Sequence, residues 1–167
     1  MNFSERVEAL CRRHKTIKHG LPEPGTGEAR RSFFRPDDGE VQEGKATGIH
    51  YPCVVMALPF GSIQERGGYV EDRQSVGFEV RVEVLDVRDW ASMEAARNAA
   101  KRVGEQLLKK LMQEQEEAQC MEENMLMDAV QYSFTGPHSG TSVGCLFKLQ
   151  QLEEAFDLGS NDNDFNP

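Results

Sequence analysis

The sequence lacks the signatures by which many enzymes and metal proteins are recognised. Its four cysteines form no CxxC pair, and its four histidines form no HxH, HxxxH or HExxH motif. Zinc sites and disulfide frameworks need closer, paired spacing. We therefore predict no metal site and no cofactor, and we expect reduced, mostly buried thiols, as in a cytosolic protein. The cysteines are Cys11, Cys53, Cys120 and Cys145.

One short motif suggests catalysis, but its context argues against it. Residues 140–144 (GTSVG) match GxSxG, the nucleophile elbow, which needs a strand before the serine and a helix after it. Here a turn precedes Ser142 and a predicted strand follows it. The carboxylates occur mainly as surface runs, whereas acid–base catalysis needs a pair held in a cleft. We predict no catalytic residues; an enzyme with a site assembled from scattered residues remains as an alternative.

The chain also lacks a basic excess and a long apolar segment. Its 28 acidic and 19 basic side chains give a formal net charge of -9, whereas proteins that grip nucleic acid present a basic face. The longest apolar run, residues 53–58, is far too short to cross a bilayer, and the N-terminus has no signal-peptide pattern. We expect a cytoplasmic protein that binds neither a membrane nor a specific nucleic-acid sequence.

The clearest pattern lies in residues 76–84. Five apolar side chains alternate there with Gly77, Glu79, Arg81 and Glu83, which predicts a strand with one buried and one solvent-facing side. The five apolar residues are Val76, Phe78, Val80, Val82 and Val84.

A helix is predicted directly after this strand. From Met93 to Leu111 apolar residues recur every three or four positions, as on one face of a helix, and Asp89 and Ser92 are both plausible N-caps. Because only a few residues join strand and helix, we expect the helix to fold back over the valine face.

The remaining elements complete an α+β pattern. They are a helix at 3–19 with a capping box of Asn2 and Glu5, strands at 31–35, 53–58, 125–134 and 143–152, and a turn at 136–142. The predicted fold class is α+β, with a mainly antiparallel sheet packed against an N-terminal helix and one long central helix. We predict a single domain over residues 1–156 and an acidic, disordered tail over residues 157–167.

Two segments are candidates for contact with other proteins. Residues 59–75 contain Gly67-Gly68 and form either a projecting hairpin or a long loop. Arg66, Tyr69 and Arg73 would be its anchors, because Tyr and Arg dominate contact energetics, although a flexible connector explains the same segment. The basic side of helix 3–19 either meets an acidic partner or is only a solvated face.

The order of these elements resembles the tail terminator (tail completion) proteins of tailed bacteriophages. The shared layout is an N-terminal amphipathic helix, a strand, a long projecting segment, and an alternating strand that passes directly into a long helix. The closing strand–turn–strand, VQYSFTGPHSGTSVGCLFKLQQ, fits it too, and the similarity spans residues 3–156.

This resemblance implies a structural function. It implies a ring, usually a hexamer, that caps the tail tube and joins it to the head connector, assembled in the host cytoplasm and retained in the virion tail. The segment 59–75 and the tip at 136–142, which contains His138, would then reach neighbouring rings. The alternative is a small cytoplasmic adaptor without catalytic activity that binds another protein through residues 59–75 or the basic face of helix 3–19.

Overall fold

The computed structural model of the chain describes residues 2–38, 48–117, 125–138 and 141–157. The elements are α1 (Phe3–Arg13), β1 (Phe33–Phe34), β2 (Cys53–Met56), β3 (Phe60–Arg66), β4 (Tyr69–Glu83), α2 (Trp90–Glu117), β5 (Met125–His138) and β6 (Ser142–Asp157). The predicted class, a mainly antiparallel sheet with an N-terminal and a long central helix, is confirmed. The tail was predicted from residue 157, but Asp157 is the last residue of β6, and residues 158–167 lie outside the described residues.

One six-stranded sheet forms the centre of the fold. Its strand order is β1-β2-β4-β6-β5, and β3 also pairs with β4. β2 lies opposite residues 78–81 of β4, whereas β3 lies opposite residues 69–75. The pairing of β1 with β2 is parallel, and the other pairings are antiparallel. β3 and β5 therefore lie at opposite edges of the sheet.

Both helices pack on one face of this sheet. The alternation predicted for β4 holds on that face, where Phe78 and Val80 are fully buried. Phe78 stacks on Phe147 of β6 with ring centroids 5.4 Å apart. Gly104 lets α2 approach closely, because a Cβ at this position would overlap the Phe147 ring. Burying each such large side chain contributes roughly 1.5–3 kcal/mol. The same cluster includes Phe3, Val7, Leu10, Ala100, Leu107, Leu111 and Leu149.

The helix starts follow the predicted capping residues. The backbone N–H of Glu5 donates to Asn2 Oδ1 (2.9 Å), and the backbone N–H of Asn2 donates to Glu5 Oε2 (2.8 Å), which completes the capping box. At the start of α2, the Ser92 N–H donates to Asp89 Oδ2 (3.2 Å). Asp89 is thus the residue that caps α2.

The predicted helix at 3–19 is too long. α1 ends at Arg13 because His14 takes an extended backbone, and the His14 Nδ1 accepts a hydrogen bond from the N–H of Thr16 (3.2 Å). This side-chain acceptor replaces a helical carbonyl, so the helix cannot continue. Ile17 is still fully buried. Its apolar spacing predicted burial correctly but not helical structure.

Residues 59–75 form a hairpin rather than a long loop. β3 and the start of β4 are joined by Gly67 and Gly68, whose φ angles of 59° and 90° lie in the region that favours glycine. The other strands differ from the prediction only in length. β5 and β6 are longer than predicted because β6 pairs along all of β4, from Tyr69 opposite Asp157 to Glu83 opposite Ser142.

Candidate protein interface

The hairpin of β3 and β4, with the segment just before it, carries exposed apolar side chains on both faces of the sheet, which we call the hairpin surface: Leu58, Phe60, Ile63 and Tyr69. Phe60 is 73%, Ile63 70% and Tyr69 56% exposed. Within the described part of the chain, β3 pairs with β4 on one side and with no strand on the other. A monomer rarely leaves such apolar groups open beside an unpaired strand edge. The hairpin surface is therefore a candidate contact region.

One side of this hairpin is both apolar and acidic. Residues directly opposite each other in an antiparallel pair point to the same face of the sheet. Ile63 lies opposite Asp72, and Glu65 lies opposite Val70, whose side chain is buried. Asp72 and Val70 are each an even number of residues from Phe78 along β4, so their side chains point to the same face as Phe78. Ile63, Glu65 and Asp72 thus project on the face that carries the helices.

A second exposed surface lies at the opposite edge of the sheet. We call it the β5 surface: Trp90, Arg97, Lys101, Tyr132 and Phe134. Trp90 is 67% and Tyr132 52% exposed. The Lys101 ammonium lies 4.5 Å from the centre of the Tyr132 ring, and the Arg97 guanidinium lies 5.9 Å from that of Trp90. Tyr132 and Phe134 meet edge to face at 5.9 Å.

A further contact ties the β5 surface to the sheet. Arg97 also donates from Nη2 to the backbone oxygen of Gly136 (3.1 Å), which links α2 to β5. Tyr132 lies opposite Phe147 and Phe134 opposite Cys145, so both aromatic rings share the helix-bearing face. Trp, Tyr and Arg side chains are typical anchors of protein interfaces; here Trp90 and Tyr132 are exposed and Arg97 is partly buried.

On the face of the sheet away from the helices, the burial of Glu79 contradicts the prediction from the sequence. The alternation in β4 predicted a solvent-facing carboxylate, but Glu79 is buried. Arg81 holds it with two hydrogen bonds, Nε to Oε1 and Nη2 to Oε2, both 3.1 Å. The Thr135 hydroxyl donates to Oε1 (2.6 Å), and His138 Nε2 contacts the same oxygen at 2.5 Å. Side chains of β4 and β5 therefore supply the hydrogen bonds that water would give this carboxylate in solvent.

Gly144 makes this network possible. It lies on β6 between Arg81 of β4 and Thr135 of β5. A Cβ at position 144 would stand 2.8 Å from both Glu79 Oε1 and the Thr135 hydroxyl oxygen, and 2.6 Å from the carbonyl oxygen of Val80. Only a residue without a side chain lets the Glu79 carboxylate reach across β6.

The environment of Glu79 keeps it ionised. Burial alone would raise its pKa, but hydrogen bonds with His138, Arg81 and Thr135 outweigh burial and lower the pKa to about 2. At neutral pH the carboxylate and the Arg81 guanidinium form a largely buried ion pair. The network thus joins the end of β5 to β4 across β6.

The structure separates His138 from the other three residues that the sequence suggested as an interface, which all lie on the β3–β4 hairpin. Tyr69 lies exposed at the hairpin turn, opposite the backbone of Arg66. Arg73 is partly buried and paired with Glu71 at 3.1 Å. His138 lies at the other end of the sheet, in the Glu79 network and in line through Ser142 with Glu83, which is about 33 Å along β4 from Arg73 by the rise of a strand. These residues do not form one surface, and their role in contacts stays a prediction.

The other residues considered for chemistry lie in structural positions. Cys11, Cys53 and Cys145 are free and buried, and burial raises their pKa values to about 12, 12 and 11. Ser142 is buried at the first position of β6, so a strand follows it rather than the helix of a nucleophile elbow. Among the described residues no three His, Cys, Asp or Glu side chains are placed to share a metal ion.

Comparisons with known proteins do not assign the chain to a family. No protein-family model matches the sequence, and a sequence search finds no similar protein among the curated ones. Within the described ranges, neither helix combines the length and apolar character that crossing a bilayer requires.

Proposed function

We propose that the protein is a structural component of a phage or prophage tail, a terminator that assembles with copies of itself into a ring on the tail tube and meets the head connector. It acts without catalysis, is assembled in the host cytoplasm and remains in the virion tail. The observation that carries the self-assembly is the pair of exposed, chemically different surfaces at opposite edges of one sheet.

Two different surfaces favour one kind of assembly. A two-fold dimer uses the same patch on both subunits, whereas a head-to-tail contact joins two different patches and repeats until it closes. The hairpin surface and the β5 surface differ in residues and lie at opposite edges, so they cannot meet within one chain. Repeated contact between them produces a ring when the rotation closes.

The assignment to a phage tail rests on the layout of the chain. The order helix, strand, hairpin, long strand, long helix and closing strand pair agrees with the layout expected for tail terminators. The surplus of carboxylates suits a channel wall along which DNA passes without adhering. These two features support a ring around a DNA path.

The head-to-tail contact is tested with two variants that each lose one surface. Ile63→Asp places a charge on the hairpin surface, and Tyr132→Asp places one on the β5 surface. We expect each variant alone to stay monomeric by light scattering at concentrations where the wild type assembles. Mixed together, they keep one intact pair of surfaces and should form dimers and nothing larger.

Leu85→Asp serves as the control, because Leu85 is an exposed apolar residue on neither surface. It should assemble like the wild type. Assembly of Ile63→Asp alone, or a mixture of the two variants that stays monomeric while the wild type assembles, would contradict a head-to-tail contact through these surfaces.

A specific cavity supports the alternative, an adaptor for an acidic protein. The junction of α1 and α2 holds a cavity of about 530 Å³, lined by apolar, polar and cationic side chains, of which Arg13 is paired with Glu114 at 2.6 Å. Its lining includes Leu10, Arg13, Lys15, Leu107 and Lys110. An adaptor would remain monomeric without its partner, and Lys15→Glu with Lys110→Glu would abolish partner binding. If instead the double variant assembles into rings as the wild type does, this cavity is not part of the assembly.

A further inference from the structure

We propose that β3 of one copy pairs with β5 of the next copy, so that the sheets of neighbouring subunits join into one continuous sheet. This inference rests on the proposed self-assembly and specifies its contact. Among the described strands, β3 and β5 each have one paired side and one open side. An open strand edge is a template for adding another strand.

The directions of the strands fit such pairing. β4 runs antiparallel to both β3 and β6, and β6 runs antiparallel to β5, so β3 and β5 point in opposite directions. When copies are related by rotation about the ring axis, every strand keeps its sense along that axis. β5 of one copy then meets β3 of the next copy in the antiparallel arrangement, in which all hydrogen bonds run straight across.

The side chains on the two edges are also complementary. In a continuous sheet the helix-bearing faces of both copies lie on the same side. That face carries Ile63, Glu65 and Asp72 at the β3 edge, and Tyr132 and Phe134 at the β5 edge. The apolar groups would cover each other. The two carboxylates would approach the cations of the β5 surface, Arg97 and Lys101.

The contact residues of the two edges, Ile63 and Tyr132, lie at different positions along the strand direction. This offset sets the inclination of the strands to the ring axis. Ile63 lies opposite Asp72, whereas Tyr132 lies in line, through Phe147, with Phe78, six residues farther along β4. At about 3.3 Å per residue this offset is about 20 Å. Each subunit adds four strand spacings of about 4.8 Å, counting the one between β5 and β3 of the next copy. An offset of about 20 Å over this width inclines the strands by roughly 45° to the ring axis. Closed β-barrels have similar inclinations of roughly 35–45°.

Disulfide trapping tests the pairing in the full chain. Ile63→Cys is combined with Tyr132→Cys or, one pleat further along the same face, with Phe134→Cys. Cys120→Ser removes the native thiol that lies outside the described residues, and Cys11, Cys53 and Cys145 are buried. Mild oxidation should produce a ladder of linked subunits with at least one of the two pairs. The control pair, Ile63→Cys with Leu85→Cys, should produce at least tenfold less.

Native mass, measured on the same samples before oxidation, separates the two possible failures. An oligomer in which both test pairs cross-link no better than the control pair would refute the β3–β5 contact and leave the ring standing. A monomer at every concentration, with tail tubes present as well, would refute the self-assembly together with the contact.

A charge exchange gives a second readout. Asp72→Lys and Lys101→Asp should each weaken association about tenfold, as expected for the loss of one close charge pair at an interface. The double variant should recover most of the loss, because the pair is restored with reversed sign. Additive losses in the double variant would contradict the contact between these two edges.

Discussion

The carboxylate of Glu79 and the imidazole of His138 meet across an intervening strand, at 2.5 Å, over the bare backbone of Gly144. This contact joins β4 to the end of β5, so two strands that are not hydrogen-bonded neighbours are linked by side chains across the backbone of β6. It places a partly buried ionic network on the sheet face away from the helices. The contact leads to two predictions about stability.

Gly144→Ala should destabilise the protein by about 1–3 kcal/mol, as overpacking commonly does. The added methyl group would enter the space between Glu79, Thr135 and the Val80 carbonyl. Urea unfolding followed by circular dichroism measures the change. Gly61→Ala is the matched control on β3, because a Cβ there meets no atom within 4 Å. Equal effects of the two substitutions would contradict the packing role of Gly144.

The Glu79 network should make stability depend on pH in the acid range. The pKa of Glu79 is lowered from 4.5 to about 2 in the folded protein. Its stabilisation is therefore complete above pH 4.5 and is lost as the pH falls toward 2. The difference in unfolding free energy between wild type and Glu79→Gln should shrink by about 3 kcal/mol over that interval.

Chemical unfolding at a series of pH values from 2 to 6 measures this difference. Glu83→Gln is the control, because Glu83 lies exposed on the same strand. Its effect on stability should stay small at every pH. A pH-independent difference for Glu79→Gln would show that the carboxylate is not stabilised by its partners.

The buried thiols should be unreactive in the folded protein. Burial raises the pKa of Cys11 and Cys53 to about 12 and that of Cys145 to about 11, so the reactive thiolate form is scarce at pH 8. Iodoacetamide followed by mass spectrometry should label these three cysteines only after denaturation. Rapid labelling of Cys53 in the native state would contradict its complete burial in β2.

The sequence predicted the parts of the fold that local patterns determine. The alternating valines of β4, the spacing of three and four in α2 and the capping box at Asn2 are local signals, and each is confirmed. Of the alternatives that the sequence left open, the structure has Asp89 as the cap of α2 and a hairpin at residues 59–75. The end of α1 was missed because the His14 side chain accepts backbone hydrogen bonds there, a detail that apolar spacing does not contain.

The contacts between strands were not predictable from such patterns. Alternation in β4 separates two faces but does not show what covers the second one, so Glu79 was expected in solvent. Its burial depends on Thr135, His138 and Gly144, all more than fifty residues away in the chain. The β5 surface was missed for the same reason, because Lys101 and Tyr132 become neighbours only through the packing of α2 on the sheet.

Native mass by light scattering across a concentration series, with negative-stain images of the same sample and of a sample with tail tubes added, tests the central proposal most directly. The proposal predicts closed rings with an open centre, with a mass that is a multiple of 18.8 kDa, formed alone or on the ends of the tubes. A strict monomer at the highest concentration, with no rings on the tubes, would contradict it and favour the adaptor.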